Sequence, residues 1–399
     1  MPPKNQPRRI DDLLASVTEE LLDDDPQHFQ DNNIRVERIL LEMVRPDPVQ
    51  PRRVLPETLH FGFHENRLTP TQALKELVQL VQVAARQHGR PFNNVLELLP
   101  NAEDDREEDR DAKISPEEQL LRDLVNLALT IRDDGQVNPL TVVDISQGVT
   151  RLFRIETGER RYWATWLLRD FIPGYDGDGM IPCIIVSAER SSAFRQAKEN
   201  TARSGLSAIA MARQAALLLL TVHGYEIPDA AVSNDFYRQA LELDLRGKRE
   251  YTDAILSAMG GIDKGHLYHF KSLLRLSDEA IELADRHNID EKKLRYVITL
   301  PQEYHAEIIH QIIDFNLTSK QVKELCQSDM NDHRDTADEV DPIPPPALKI
   351  AKVTQSTGTT SAQDLARAIM KQEKDINLAR ARLQSMRALL TEAEKYLEA

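Results

Sequence analysis

Gly158-Glu159-Arg160-Arg161 stands between the strand-like run Leu152–Glu156 and the helix-like run Tyr162–Arg169, and Glu199-Asn200-Thr201-Ala202-Arg203 follows some forty residues later. Paired arginines at a strand-to-helix turn suit a polyphosphate. Planar guanidinium forks match phosphate oxygens, and the first turn of a helix has unpaired N–H groups. The later segment offers a carboxylate, an amide oxygen and another arginine, a set suited to a hydrated Mg2+ and a further phosphate. Each segment alone has a plainer reading. GERR-type strings start many solvated helices, and Glu199 with Arg203 is an ordinary i, i+4 ion pair.

Working outward, Val36–Val44 reads as a strand leading into the turn Arg45-Pro46-Asp47-Pro48, after which comes Gln50-Pro51-Arg52-Arg53. Residues 70–88 carry Leu74, Leu77, Val78, Val81, Ala84 and Ala85 at helical spacing and end at Gly89. Ser115 is an expected N-cap, with Pro116 in the first turn of a helix through Leu120–Ile131. Strands are then expected at Leu140–Ile145, Leu152–Glu156 and Ile181–Ser187, with helices at 159–170, 189–201 and 206–223. Beyond Tyr251 nothing reads as a strand.

The charge of −15 is unevenly spread. Residues 11–31 hold eight acids and no Lys or Arg, 101–118 hold nine acids against three basic residues, and 329–341 hold six against Arg334. The remainder of the 399-residue chain is +4, so net acidity does not exclude a nucleic-acid partner. Cys183 and Cys326 form no metal or disulfide spacing, which suits a reducing compartment. No apolar run approaches a membrane span of ~18 residues. The early prolines and acids are unlike a secretory leader, so a cytoplasmic location is expected.

A second informative region is Thr252–Arg275. Thr252 is the expected cap of a short helix (253–259), Gly260-Gly261 a tight turn, and Asp263 the cap of a second helix (264–275). Leu267, Phe270, Leu273 and Leu274 share one face, leaving Lys264, His266, Tyr268, Lys271 and Ser272 outside, with His269 ambiguous. This has the form of a helix-turn-helix, whose second helix enters the major groove. The plainer alternative is an ordinary helical hairpin. Residues 246–275 carry six basic and three acidic side chains, enough for several phosphate contacts.

Taken in order, the QPRR turn, Gly135-Gln136-Val137-Asn138-Pro139-Leu140, GERRYWA, the ENTAR segment and the helix pair resemble the ParB family within the ParB/sulfiredoxin superfamily. The resemblance covers about residues 36–57 and 117–210, with the helix pair beyond. It implies an α+β ParB/sulfiredoxin-like N-terminal domain, followed by an all-α helix-turn-helix domain. It also implies a CTP-dependent DNA clamp with slow CTP hydrolysis. Under it, CTP and Mg2+ are the cofactors. Gly158, Glu159, Arg160, Arg161, Asn200 and Arg203 bind the nucleotide, and Gln50, Arg52 and Thr141 line its pocket. Glu199 and Asn200 ligate the metal, and Glu199 is the catalytic candidate. Glu159, a carboxylate beside phosphate, is expected to orient one of the arginines. Lys264, His266, Tyr268, His269, Lys271 and Ser272 are the expected DNA contacts.

The implied partners are double-stranded DNA, read site-specifically, a second copy of the chain, and a ParA-type ATPase. The implied location is nucleoid-associated, in chromosome, plasmid or mobile-element segregation. Sulfiredoxin chemistry needs a cysteine at the position of Glu159, where this chain has none. A transcriptional regulator without turnover, and a superfamily enzyme not acting on DNA, remain the alternatives.

These readings divide the chain into an acidic N-terminus (1–35), a nucleotide domain (36–210) with an insertion at about 57–115, and a helical DNA-binding domain (211–327). A Pro/Ser/Thr linker (328–361) and a C-terminal helix (362–398) follow. A short helix is also expected at Ile10–Leu22. Residues 369, 376, 383, 390 and 397 are Ile, Ile, Leu, Leu, Leu, the seam of a coiled coil that would pair two chains. Folding of that helix back onto its own body is the alternative. The chain departs from the family in its 57–115 insertion, an extra stretch at about 225–250, and the lack of a Gly-Leu-Gly-type start.

Overall fold

The computed structural model describes residues 35–99, 114–186, 193–202, 205–246, 249–333, 362–373 and 375–397. The helix expected at Ile10–Leu22, the acidic run 101–113, most of the linker and Arg203 lie outside the described residues.

Five strands form one mixed sheet in the order β1-β5-β3-β4-β2. The strands are β1 (Val36–Leu40), β2 (Val44–Arg45), β3 (Leu140–Asp144), β4 (Phe153–Thr157) and β5 (Met180–Val186). The run expected as one strand at 36–44 is two, because a 3-10 turn at Leu41–Met43 carries the chain from one edge of the sheet to the other. β1 pairs antiparallel with β5, and β2 pairs parallel with β4. β3 runs parallel to β5 and antiparallel to β4, and its buried residues Leu140, Val142 and Val143 put it in the middle of the core.

The inserted residues form helices α1 (Glu57–His64) and α2 (Pro70–Gln87). Thr69 and Gln72 close a reciprocal capping box on α2. Its Leu74, Leu77 and Val81 are fully buried, so the insertion extends the core instead of hanging from it. Helix α3 (Pro116–Asp134) starts as the sequence predicts, with Ser115 Oγ accepting from Glu118 N at 3.1 Å. Ser115→Ala is expected to cost about 1 kcal/mol, read as a lower urea midpoint. Helix α4 (Glu159–Phe171) buries Tyr162, Trp163 and Leu167 against this core.

Helices α5 (Ala193–Ala202) and α6 (Ala208–Val222) follow. The boundary expected at 210/211 falls inside α6, a helix buried nearly all round. The chain divides into two compact units at Leu274/Arg275. The first unit also holds α7 (Asn234–Arg238), α8 (Arg249–Ala258) and α9 (Lys264–Ser272).

The second unit is helical: α10 (Asp278–Arg286), α11 (Glu291–Val297), α12 (His305–Asp314), α13 (Ser319–His333), α14 (Ala362–Glu373) and α15 (Ile376–Leu397). The single C-terminal helix expected at 362–398 is therefore two. Asp375 is the reason, since its Oδ1 caps α15 by accepting from Asn377 N at 2.8 Å and Leu378 N at 3.0 Å. Leu378, Ala379 and Ala381 are buried, and Ser385 Oγ accepts from Gln311 of α12. The helix thus folds back in part on its own unit. Ile376, Leu383 and Leu390 of the heptad seam stay exposed, at 53%, 37% and 41%.

Candidate functional site

β4 ends at Thr157, and Gly158 then takes φ +102° as the N-cap of α4. A side chain there would meet Leu140 Cγ at 3.1 Å and Arg161 Nη1 at 3.2 Å, with the Leu140 backbone at 3.5 Å. Glycine is needed on both counts, conformation and space. The close approach it permits is between the start of α4 and β3, where Thr141 sits buried opposite Thr157.

The two arginines diverge. Arg161 Nη1 donates to the carbonyls of Asn138 (3.0 Å) and Pro139 (2.7 Å), so it pins the turn before β3 to the helix start. Arg160 Nη2 donates to Asp123 Oδ2 of α3 at 2.7 Å. That pair is about one-third exposed on each side, a setting in which ion pairs contribute only ~0–1 kcal/mol. A phosphate offering two oxygens is a stronger partner for the same fork.

Glu159, expected to orient an arginine, has Trp163 as a hydrogen-bond donor. Its Oε1 accepts from Trp163 Nε1 at 2.9 Å, one turn along the same helix, because the first turn of α4 faces the core here. Burial pushes its carboxyl up to about 7, the Trp163 bond opposes this, neighbouring Asp47 adds to it, and Arg52 counters it. Arg52 and Asp47 thus lie within electrostatic reach of the GERR turn.

The QPRR loop is held from several sides. Arg213, a fully buried cation in the apolar helix α6, reaches Pro51 O at a long 3.5 Å. Tyr237 Oη donates to Val49 O at 3.3 Å. Arg53 pairs with Glu57 at 2.6 Å and donates to Val232 O at 2.9 Å, which places Arg53 in support of the loop. Gln50 is buried, and Arg52 is half-buried. Asp47 Oδ1 accepts from Val49 N at 3.0 Å and Oδ2 from Gln196 Nε2 at 3.3 Å, and burial raises its pKa.

Gln196 is the residue that joins the motifs. It lies on α5, one turn before Glu199 and Asn200, and also donates to Glu156 O of β4 at 3.4 Å. Loop, strand and helix meet at this one amide. Asn200 Nδ2 donates to Gln214 Oε1 of α6 at 3.4 Å, which leaves its carbonyl oxygen as the end suited to a cation, and Glu199 is half-buried beside it. Among the described residues no group of three metal-ligating side chains occurs. A divalent ion here would draw on one carboxylate, one amide oxygen and the phosphates themselves, which suits Mg2+.

Sequence reading missed Asp47, Asp123, Gln196 and Arg213. A lone arginine in the apolar run 208–222 was a usable signal, and so was Gln196, three residues before Glu199 on one helix face. Nothing local to Asp123 points to Arg160.

The first helix of the candidate DNA-binding pair begins at Arg249, earlier than expected, so Thr252 is a buried interior residue and not a cap. Gly260 and Gly261 have φ of +85° and +75° and form the turn. Asp263 caps α9, accepting from His266 N at 2.8 Å and meeting His266 Nδ1 at 2.8 Å. Lys264, His266 and Tyr268 are exposed, and His269 is half-buried. Lys271 and Ser272, expected to face DNA, are directed inward. Lys271 Nζ donates to Leu241 O (3.2 Å) and Leu243 O (2.9 Å) of the extra stretch, and buried Ser272 donates to His269 O at 2.7 Å. The cause is the part of the extra stretch at Leu241 and Leu243, whose carbonyls lie on that side of the helix. Thr201 Oγ1 on α5 donates to Ala258 O at 3.1 Å, joining the Glu199 helix to the end of α8.

No helix among the described residues is long and apolar enough to cross a membrane. No family model matches the chain, and no curated protein does. Solved structures similar to it include two of the C-terminally truncated chromosome-partitioning protein ParB from Caulobacter crescentus. The form complexed to the centromeric parS site is 14% identical, covers 73% of this chain and 99% of that chain, and has a TM-score of 0.31. The form complexed with CTP-gamma-S is 16% identical, with 70% and 99% coverage and a TM-score of 0.21.

Proposed function

We propose that the chain is a ParB-like, DNA-binding partition protein that binds CTP with Mg2+ at the GERR turn. The observation that supports this reading is the Gln196 junction, which joins Asp47 in the turn before QPRR, the strand before GERR and the Glu199–Asn200 helix. Arg160 and Arg161 would take the phosphates, with Arg160 leaving Asp123 to do so. Gln50, Arg52 and Thr141 would line the pocket, and Arg203 would reach the triphosphate. Glu199 and Asn200 would hold the metal, which supplies charge neutralisation on the phosphates. Glu199 is also the candidate for positioning water in a slow hydrolysis.

Lys264, His266, Tyr268 and His269 would face DNA from α9. Thr201 supports a link between the two activities, because a shift of the Glu199 helix is felt at Ala258, two residues before the turn of the helix pair. The exposed Ile376, Leu383 and Leu390 support a homodimer through α15. A clamp that closes on DNA with nucleotide bound, a ParA-type ATPase partner and a cytoplasmic, nucleoid-associated location complete the proposal.

The test is calorimetric titration of CTP with Mg2+. Arg160→Ala is expected to abolish binding while the circular dichroism spectrum and thermal midpoint stay near those of the parent, since the pair it breaks is partly solvated. Unchanged CTP affinity in that variant would remove the nucleotide reading.

A further inference from the structure

The extra stretch before the helix pair does more than hold Lys271. Together with α6, α8 and α9 it lines an open groove of about 310 Å³. Leu219 of α6, Leu267 of α9, and Leu243 and Leu245 of the extra stretch give it an apolar lining. Arg246, Lys264 and Lys271 bring three cations to it, against the one acid Asp244. Arg246 is almost fully exposed and lies 3.7 Å from Asp244, and the Lys271 ammonium is fixed in place by two main-chain carbonyls. The volume lies at the lower end of the range for small-molecule sites.

A leucine lining beneath a cationic rim is more than a phosphate track needs, because phosphate contacts use only the rim. It is complementary to a molecule with one charged end and one apolar body. We propose that this groove binds a small organic anion, an aliphatic carboxylate in size and chemistry, with its carboxylate at Arg246 and Lys264 and its chain on the four leucines. The site does not depend on the nucleotide reading, since none of its residues belongs to the GERR, QPRR or ENTAR segments. Its position against α9 makes the occupant a candidate effector of whatever that helix contacts.

Calorimetric titration of the full chain with octanoate, hexanoate, acetate and octylamine tests this. Octanoate is expected to bind. Each CH2 removed should weaken binding about fourfold, and octylamine should fail to bind. Leu245→Trp, which fills the half-buried end of the lining, is expected to abolish octanoate binding. Arg246→Ala, at an exposed position that folding does not need, is expected to weaken it by up to about fivefold, the loss of one solvated ion pair. Four results would overturn the proposal: no octanoate binding up to about 10 mM, tenfold weaker than a 1 mM site, equal affinity for acetate and octanoate, octylamine binding as well as octanoate, or octanoate affinity unchanged in both variants.

Discussion

Replacing Glu159 with Gln is expected to stabilise the first unit at neutral pH and to flatten part of its stability-versus-pH profile. The carboxyl is buried, and its pKa stands at about 7 in the folded chain against an ordinary 4.5. The folded state therefore holds the proton more tightly than the unfolded state does. Its contribution to stability is fully present below the unfolded pKa of 4.5 and is lost as pH rises through about 7. A gap of that size corresponds to roughly 3 kcal/mol as an order of magnitude. Gln keeps an oxygen to accept from Trp163 Nε1 and cannot ionise. The measurement is the difference in urea-unfolding free energy between Glu159→Gln and the parent from pH 4 to 8. Asp47 is also raised by burial and slopes the same way; it is common to both proteins, so the difference keeps only its coupling to Glu159. A difference that stays constant across the range would show that the carboxylate is accommodated charged.

Much of this arrangement was legible in the chain, for identifiable reasons. Ser115 and Asp263 cap where expected because a cap is a local contract between one side chain and the next three amides. Strands β3, β4 and β5 fall within a residue of expectation because their apolar runs end at turn residues. What sequence could not show is which distant groups meet. Glu159 was expected to orient an arginine, and sequence did not show that the packing of α4 would give it Trp163 as its hydrogen-bond donor. Asp123 meets Arg160 only because α3 lies alongside α4. Lys271 and Ser272 read as outward from helical spacing alone, whereas Leu241 and Leu243 supply carbonyls to Lys271 and Ser272 turns back to His269 O. The heptad at 369–397 has the right period, but it does not reveal that Asp375 starts a new helix. Period reports one face of a helix, and only tertiary structure says what lies against it.

Gly158→Val is expected to damage both the fold and the candidate site, and the two effects can be separated. At φ +102° a β-branched residue is strained, at a cost of order 1–3 kcal/mol. The added carbons also meet Leu140, which is fully buried on the central strand, so the neighbour cannot move aside cheaply. Relief requires α4 to lift away from β3, which disturbs Arg161 and its contacts to Asn138 and Pro139. Gly158→Ala meets the same backbone conformation and the first of those contacts with less bulk. The expected order of thermal midpoint is therefore parent, then Ala, then Val, with Val lower by several degrees. CTP binding should fall in the same order and be lost in Val at temperatures where both variants are still folded. Arg161→Lys leaves Gly158 and the strand contact intact while replacing both the Nη1 donor to the two carbonyls and the planar group proposed to meet phosphate with a single ammonium. Loss of binding in Gly158→Val together with retention in Arg161→Lys would assign the defect to the lifted helix start. Retention of CTP binding in a folded Gly158→Val protein would show that the nucleotide does not sit on this turn.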